Sequence, residues 1–332
     1  MAPVSRGGVT FWGRSGRVGA LTTSDVTVRP LVGGELECFL ALDGPAYGPP
    51  GRDFLATAAE HHYRPDWTWV AERDGRVVAR AAWWGGPDDE HPIALDWFDL
   101  GAEPDRVATG ALLLNVAHQR IKTADGSIPE YHLFLPADWH DRPDVRRAVD
   151  DRTDAARQAG LQPFVERLRI EWQASAGLPA TDGRLSFAPA LDDGQLLEVL
   201  ERVNVGTLDA YARRDIERHG PAQAARIQLD DMAWMPAPRD WWRLAYTAAD
   251  DVLVGVVMPS RNYESFVIAY IGVVPEQRGH GYVGGLLAEA TAFLAGQGAD
   301  RIRADTDTGN GPMAAAFERA GYRVTARRIV MT

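Results

Sequence analysis

Hydrophobic and polar positions along the chain fall into two periods. Val267 to Val274 is a near-continuous apolar run, the pattern of a central strand covered on both faces. After a glycine-rich stretch, Leu286, Leu287, Ala290, Phe293 and Leu294 recur at i, i+3, i+4 spacing, which predicts a helix from about Tyr282 to Gln297 with one buried face. Short apolar runs on either side of Asp74-Gly75 predict a β-hairpin over Trp67 to Ala79, and Trp242 to Val256 repeats the arrangement around Asp250-Asp251. The second half then reads as a strand, a long helical region from Gln195 to about Asp231, and the hairpin. A strand (Phe266 to Val274), the glycine turn, the helix, a strand (Arg301 to Asp305), a helix (Pro312 to Ala320) and a last strand complete it. Such alternation predicts a mixed α/β sheet with crossover helices.

The outline occurs twice. Val26 to Pro30 opens one half and Leu185 to Pro189 the other; Ala155 to Leu161 matches Ala316 to Tyr322, each a helix stopped by a glycine and followed by an extended segment. Duplication is the economical reading, and the length of 332 residues agrees with two units at about 150 residues each. The small, turn-rich stretch Ser175 to Gly183 is the expected linker, with the boundary near Thr181. The expected organisation is a leader over 1–24 that orders only by packing on something, a first domain over 25–174, a linker over 175–183 and a second domain over 184–332.

Composition narrows the function. With 45% hydrophobic and 24% charged residues, the chain lies outside the disordered, collagen-like and coiled-coil classes. Its 35 Lys+Arg against 46 Asp+Glu give a net charge of −11, which argues against nucleic acid as a partner and suits a cationic small molecule. Cys38 is the single cysteine, so no intramolecular disulfide forms, and it is expected to be a small buried apolar residue. No Cys/His spacing has the form of a zinc site, so no metal is expected. No apolar run approaches the roughly 20 residues that span a bilayer, and the N-terminal stretch has no signal-peptide core. A cytoplasmic protein without a membrane partner is expected.

Directly after the apolar strand and Pro275 comes Glu276-Gln-Arg-Gly-His-Gly-Tyr-Val-Gly-Gly285. Glycines let the backbone come close to a ligand, and the unpaired amides of a first helical turn concentrate partial positive charge, so a strand, glycine loop and helix N-terminus suit a phosphate or diphosphate. No Gly-Lys-Ser/Thr follows, which excludes a P-loop, and the six-residue dinucleotide register is absent.

The run Val273 to Leu287, followed by Asn310-Gly-Pro-Met-Ala-Ala-Ala-Phe-Glu-Arg-Ala-Gly321-Tyr322, resembles the GNAT superfamily of acyl-CoA-dependent N-acetyltransferases. The resemblance covers the second half well and the first in outline. It implies two tandem GNAT-like α/β domains, each a mixed, mostly antiparallel central sheet flanked by helices, with acetyl-CoA or another acyl-CoA as cofactor. By the family pattern, the backbone of Ile271, Gly272 and Val273 pairs with the pantetheine arm. The loop of Arg278, Gly279, His280, Gly281, Tyr282, Val283 and Gly284 takes the diphosphate, and Asn310 and Phe317 approach the cofactor. Val283 departs from the usual Gly or Ala, and Phe317 stands where the family often has a proton-donating tyrosine. Asp305 is the first choice for general base and Glu264 the second; the alternative for Asp305 and Asp307 is that they cap the helix beginning near Pro312. In the first half, Asp99 to Gly110 carries no Gly-x-Gly, which suggests a degenerate copy that no longer binds cofactor. The expected acceptor is a small-molecule amine, such as an antibiotic or other specialised metabolite. A longer acyl or different donor, a non-catalytic CoA-binding module, and a monomeric or homodimeric state stay open.

Overall fold

A computed structural model describes residues 21–23, 25–42, 48–181, 183–262 and 265–332. It divides into two compact units, Met1–Phe164 with Ile329–Thr332, and Val165–Arg328.

Unit 1 contains β1 (Leu21–Thr23), β2 (Val26–Pro30), α1 (Phe54–Ala59), β3 (Thr68–Arg73), β4 (Arg76–Trp84), β5 (Ala94–Leu100), α2 (Arg106–Ala117), β6 (Glu130–Pro136) and α3 (Pro143–Gln158). The strands lie side by side in the order β1-β2-β3-β4-β5-β6. The β3–β4 turn is formed by Asp74 (φ 51°) and Gly75 (φ 75°), two left-handed positions of the kind a tight hairpin requires. Leu113 and Leu114 of α2 and Val145 and Val149 of α3 bury their side chains against the sheet with Val28, Ala79 and Leu95. Within this unit, Gln162 and Thr332 exchange both backbone hydrogen bonds.

The end of α2 carries a buried charge-sensitive group. His118 is 5% exposed and lies edge-on to Trp83, and neither ring nitrogen makes a hydrogen bond of good geometry. Burial, helped by Lys122 and only weakly opposed by the Ala159 backbone, pulls its pKa down to about 4. The unfolded chain therefore takes up a proton near pH 6.5 that the folded unit refuses, so stability is complete above that pH and falls as pH drops towards 4. The expected loss from this group is about 2 kcal/mol between pH 7 and pH 5. Thermal unfolding of the protein and of His118→Phe at both pH values checks this: the variant should lose less stability on acidification, and an equal loss would remove His118 as the cause.

Unit 2 contains β7 (Pro163–Gln173) from Val165 onward, then β8 (Leu185–Pro189), α4 (Asp193–Asn204), α5 (Ala210–His219), α6 (Pro221–Ala233), β9 (Arg243–Thr247), β10 (Leu253–Arg261), β11 (Phe266–Val273), α7 (Tyr282–Gly296), β12 (Arg301–Asp307), α8 (Gly311–Arg319) and β13 (Arg323–Met331) through Arg328. Its strand order is β13-β7-β12-β11-β10-β9-β8. Leu286, Leu287 and Leu294 of α7 and Phe317 of α8 cover one face, against Ile268, Ile302 and Ala304. Leu196 and Leu200 of α4 and Leu229 of α6 cover the other, against Leu244, Val256 and Met258. Two covered faces explain the unbroken apolar run of β11.

Four expectations change. The units divide at Phe164/Val165 and not in 175–183, because β7 pairs with β12 over Arg167↔Asp307 to Gln173↔Arg301 and thereby joins unit 2. Residues 21–23, expected in the leader, form β1 on β2. The long helical region is three helices, broken by Gly206 (φ 65°) and by Gly220 (φ 81°) before Pro221. Cys38 is half-buried. The second base candidate, Glu264, lies outside the described residues.

Both units are mostly antiparallel, and in each one parallel pair of strands is held over only two residue pairs. In unit 2, β11 and β12 pair at Phe266↔Ile302 and Val267↔Arg303 and then part. In unit 1, β5 and β6 pair at Ala94↔Glu130 and Leu95↔Tyr131 and then part. A bulge sits at the divergence in each case, at Ala269 opposite Met258/Pro259 and at Asp96 opposite Ala82/Trp83. Bulges bend and overtwist a strand, which turns its end away from its parallel neighbour. Among the described residues no helix is long and apolar enough to cross a membrane.

Candidate functional site

Among the described residues, the split between β11 and β12 leaves one edge of β11 beyond Val267 without a strand partner, and β11 runs from there into the glycine turn. Gly279 (φ 83°) and Gly281 (φ 77°) take left-handed conformations that strain other residues. The loop residues 278–281 are exposed. A side-chain carbon added at Gly279 or Gly284 would meet nothing within 4 Å, so one face of the turn is open. Among the described residues, no backbone carbonyl accepts from the N–H groups of Gly279, His280, Gly281, Tyr282 or Val283, whereas Gly284 N–H donates to Gly281 O at 3.1 Å. Five consecutive amides thus remain for an anion, and the sixth, expected among them, is bonded within the turn to Gly281 O. Gly285 lets α7 lie close to the sheet, since a methyl there would stand 2.8 Å from Leu185. This cradle fits the diphosphate of an acyl-CoA on its own geometry: open surface, unpaired donors and the positive end of a 15-residue helix.

The remaining sequence candidates separate. Arg278 turns away from the open face. Its Nη2 donates to Val203 O at 2.7 Å, its Nη1 to Val205 O at 2.8 Å and its Nε to Val273 O at 3.1 Å. It is a strut between the glycine turn and the α4–α5 connection, and it also engages the Val273 carbonyl expected to meet the pantetheine arm. Ile271 is half-buried against the α7 side, and Gly272 sits on the opposite side, where a side-chain carbon would fall 2.2 Å from Val203 Cγ1. His280 is exposed, its Nδ1 is 3.3 Å from Gln277 O, and its ring stacks with Tyr282 at 5.6 Å. Val283 is half-buried against the core. Asn310 is the N-cap of α8, accepting from Met313 N–H at 3.3 Å. Phe317 is 2% exposed and lies edge-on to Tyr322, so it presents almost no surface to a ligand. Tyr322 is 1% exposed with its hydroxyl 2.8 Å from that of Thr291.

Asp305 sits on β12 between two guanidiniums, 2.8 Å from Arg328 on β13 and 3.5 Å from Arg169 on β7. Burial alone would raise its pKa, but Arg328, Arg169 and Arg167 outweigh burial and hold it below the usual carboxylate value. Such a carboxylate is a counter-ion and a weak base. Asp307, two residues on, is 3% exposed. Its Oδ2 accepts from Ala210 N–H at 2.6 Å at the start of α5, and its Oδ1 faces Arg167 Nε at 3.1 Å without hydrogen-bond alignment. Burial, with Asp209 adding and Arg167 opposing, raises its pKa. Neither aspartate caps α8; one ties three strands together and the other docks α5.

The α4–α5 connection borders a recess of about 300 Å³ lined by Glu201, Asn204, Thr207, Arg213 and Glu217 among others. Asn204 is buried and donates to Gln228 Oε1 at 3.2 Å. Gln228 in turn hydrogen-bonds Tyr270 of β11, whose pKa burial raises. Tyr270 was hidden inside the apolar run; period-2 reading from Gly272 would have put both on the α4 side. In unit 1, Asp99 lies on β5 beyond the point where β5 and β6 part. Its carboxylate accepts from Arg80 Nε and Arg152 Nη2, both at 2.9 Å, and Arg152 Nε donates to Phe98 O at 2.9 Å.

The sequence model of the acetyltransferase (GNAT) family matches residues 208–322. A GCN5-related N-acetyltransferase from Sphaerobacter thermophilus has a similar structure, with a TM-score of 0.60 and 15% identity over 93% of this chain and 95% of that one. A GCN5-related glucosamine N-acetyltransferase region of a fungal multi-domain GH3 β-N-acetylglucosaminidase is similar at a TM-score of 0.51 and 14% identity, covering 94% of this chain and 38% of that one. A tandem GNAT protein from the clavulanic acid biosynthesis pathway follows at 0.48 and 18%, covering 92% and 98%. No curated protein matches the sequence. At these identities the structural likeness concerns the fold; it extends over both units, while the sequence match, the split strands and the glycine turn coincide in unit 2. Residues 208–322 carry the sequence signature of the GNAT acetyltransferase family, and the chain folds as a tandem of two GNAT-like units.

Proposed function

We propose that the protein is an acyl-CoA-dependent N-acyltransferase that uses acetyl-CoA, with unit 2 as its catalytic unit and a small-molecule amine as acceptor. The observation that carries this reading is the run of unpaired amides from Gly279 to Val283 at the open glycine turn, beside a β11 edge that has lost its strand partner. When bound, acyl-CoA supplies an acyl group activated as a thioester. The amides of the turn hold the diphosphate, and the exposed edge of β11 aligns the arm and offers N–H groups near the carbonyl that gains negative charge, a contribution of about 3 kcal/mol per well-placed donor. Holding both reactants in one geometry adds to this. The recess beside the α4–α5 connection supports an acceptor carrying an ammonium group, since Glu201 and Glu217 line it against one arginine, Arg213. Asp305 acts as a strand-binding counter-ion, so the amine gives its proton to water and not to this carboxylate.

Unit 1 is the silent copy in this reading. Where an arm would lie along β5, Arg152 already occupies the Phe98 carbonyl and the Asp99 carboxylate. Ahead of α2 the turn carries Glu103 and Asp105 and no Gly-x-Gly, and Arg73 is already bonded to Asp105 at 3.1 and 2.6 Å.

Release of free thiol from acetyl-CoA with a panel of amines tests the proposal, together with calorimetric titration by coenzyme A. Turnover with at least one amine and one equivalent of coenzyme A per chain is expected. Binding without turnover on any amine would make the protein a CoA-binding module, and two equivalents per chain would overturn the silence of unit 1.

A further inference from the structure

A diphosphate needs cationic charge nearby, and this chain carries a net charge of −11. The arginine that the family motif supplies, Arg278, is engaged by four backbone carbonyls, those of Val203, Val205, Gly206 and Val273. A second arginine reaches the open side. Arg184, exposed just ahead of β8, donates from Nη1 to His280 O at 2.9 Å. Its guanidinium lies 4.9 Å over the ring of Tyr282, which stacks with His280. Its Nη2 is 3.8 Å from the point a side-chain carbon on Gly281 would occupy. The planar fork therefore stands at the left-handed glycine, over the same turn whose amides lack partners.

We propose that Arg184, and not Arg278, is the side chain that contacts the diphosphate of the acyl donor. The inference rests on the reading of the glycine turn as the donor site and adds a residue to it. A guanidinium matches two phosphate oxygens at once, and stacking on Tyr282 orders the side chain before the ligand arrives. Its exposure lets it exchange present contacts for phosphate oxygens without opening the core. In unit 1 the turn before α2 carries Glu103 and Asp105, and Arg73 is bonded to Asp105 at 3.1 and 2.6 Å, so the corresponding place is already neutralised from within.

The test titrates the full chain, Arg184→Ala and Arg184→Lys with coenzyme A by calorimetry at two salt concentrations, alongside thermal melting without ligand. Arg184→Ala should bind coenzyme A about tenfold more weakly, the scale of one charge-assisted hydrogen bond. Arg184→Lys should recover part of the loss, because it keeps the charge and loses the fork. The affinity of Arg184→Ala should also depend less steeply on salt, while all three proteins melt together. Unchanged affinity in Arg184→Ala, or a weaker affinity with a lowered melting temperature and an unchanged salt slope, would overturn the assignment. A parent protein that ignores coenzyme A altogether would instead remove the donor site on which it rests.

Discussion

Gly281→Val is expected to lower kcat/KM for acetyl-CoA by about 100-fold, the equivalent of losing one or two charge-assisted backbone contacts, while the protein stays folded. Gly281 holds φ 77° at the N-cap of α7. An L-residue there costs about 1–2 kcal/mol, and a β-branched one is the least tolerant, yet that is a fraction of the roughly 5–15 kcal/mol that keeps a domain folded. The site itself has room, since the nearest atom to an added side-chain carbon is Arg184 Nη2 at 3.8 Å. The damage is therefore local: the valine branches stand over the amides and twist the turn that aims them. Thiol release and calorimetric titration with coenzyme A measure the loss, and far-UV circular dichroism checks the fold. Unchanged affinity for coenzyme A would take the glycine turn out of the donor site.

The glycine turn was legible because its requirement is local. Two positions with positive φ, a strand before and an amphipathic helix after leave a signature within twenty or so consecutive residues. The β3–β4 hairpin was legible for the same reason, through Asp74-Gly75. What the sequence hid depends on partners far along the chain. Arg278 belongs to the motif, yet its direction is set by the carbonyls of Val203 and Val205. Arg184 follows a turn-rich segment that reads as a linker, and nothing there announces that it reaches His280. The domain boundary misled in a related way. Ser175 to Gly183 has the composition of a connector, but composition marks a loop and not which sheet the preceding strand enters; β7 enters the sheet of unit 2 through β12.

In the proposed reading, the two halves use one architecture differently. Both keep the short parallel pairing and the bulge beside it. In unit 2 the chain beyond the divergence is apolar and ends in glycines, which leaves backbone groups for a ligand. In unit 1 it carries Asp99, and two arginines 4% exposed complete a closed network around that carboxylate. A fully satisfied buried network specifies one packing and leaves no donors over, which is why the proposed reading assigns no donor site to unit 1.

Asp305→Asn is expected to destabilise unit 2 by about 3–4 kcal/mol, near the lower part of the range for removing one partner of a buried ion pair, because the carboxylate is only partly shielded. Asp305 is the charge that lets Arg328 and Arg169 approach each other across three strands. Burial already draws the Arg328 pKa below its usual value, and Arg167 and Arg169 add to this against the pull of Asp305. Asparagine keeps the shape and removes one negative charge beside Arg328 and Arg169, so the repulsion of Arg328 by Arg167 and Arg169 grows. A melting temperature lower by roughly 10 °C follows at the usual scaling for a domain of this size. A general base would behave differently. Its loss would leave melting intact, reduce kcat tenfold or more, and remove an inflection from the pH profile of kcat. In the ion-pair reading, the carboxylate stays charged throughout the working range, so the profile keeps its shape in Asp305→Asn when rates are measured well below the melting temperature. Unchanged melting combined with a reshaped pH profile would return Asp305 to the chemistry and refute the assignment made from its arginine neighbours.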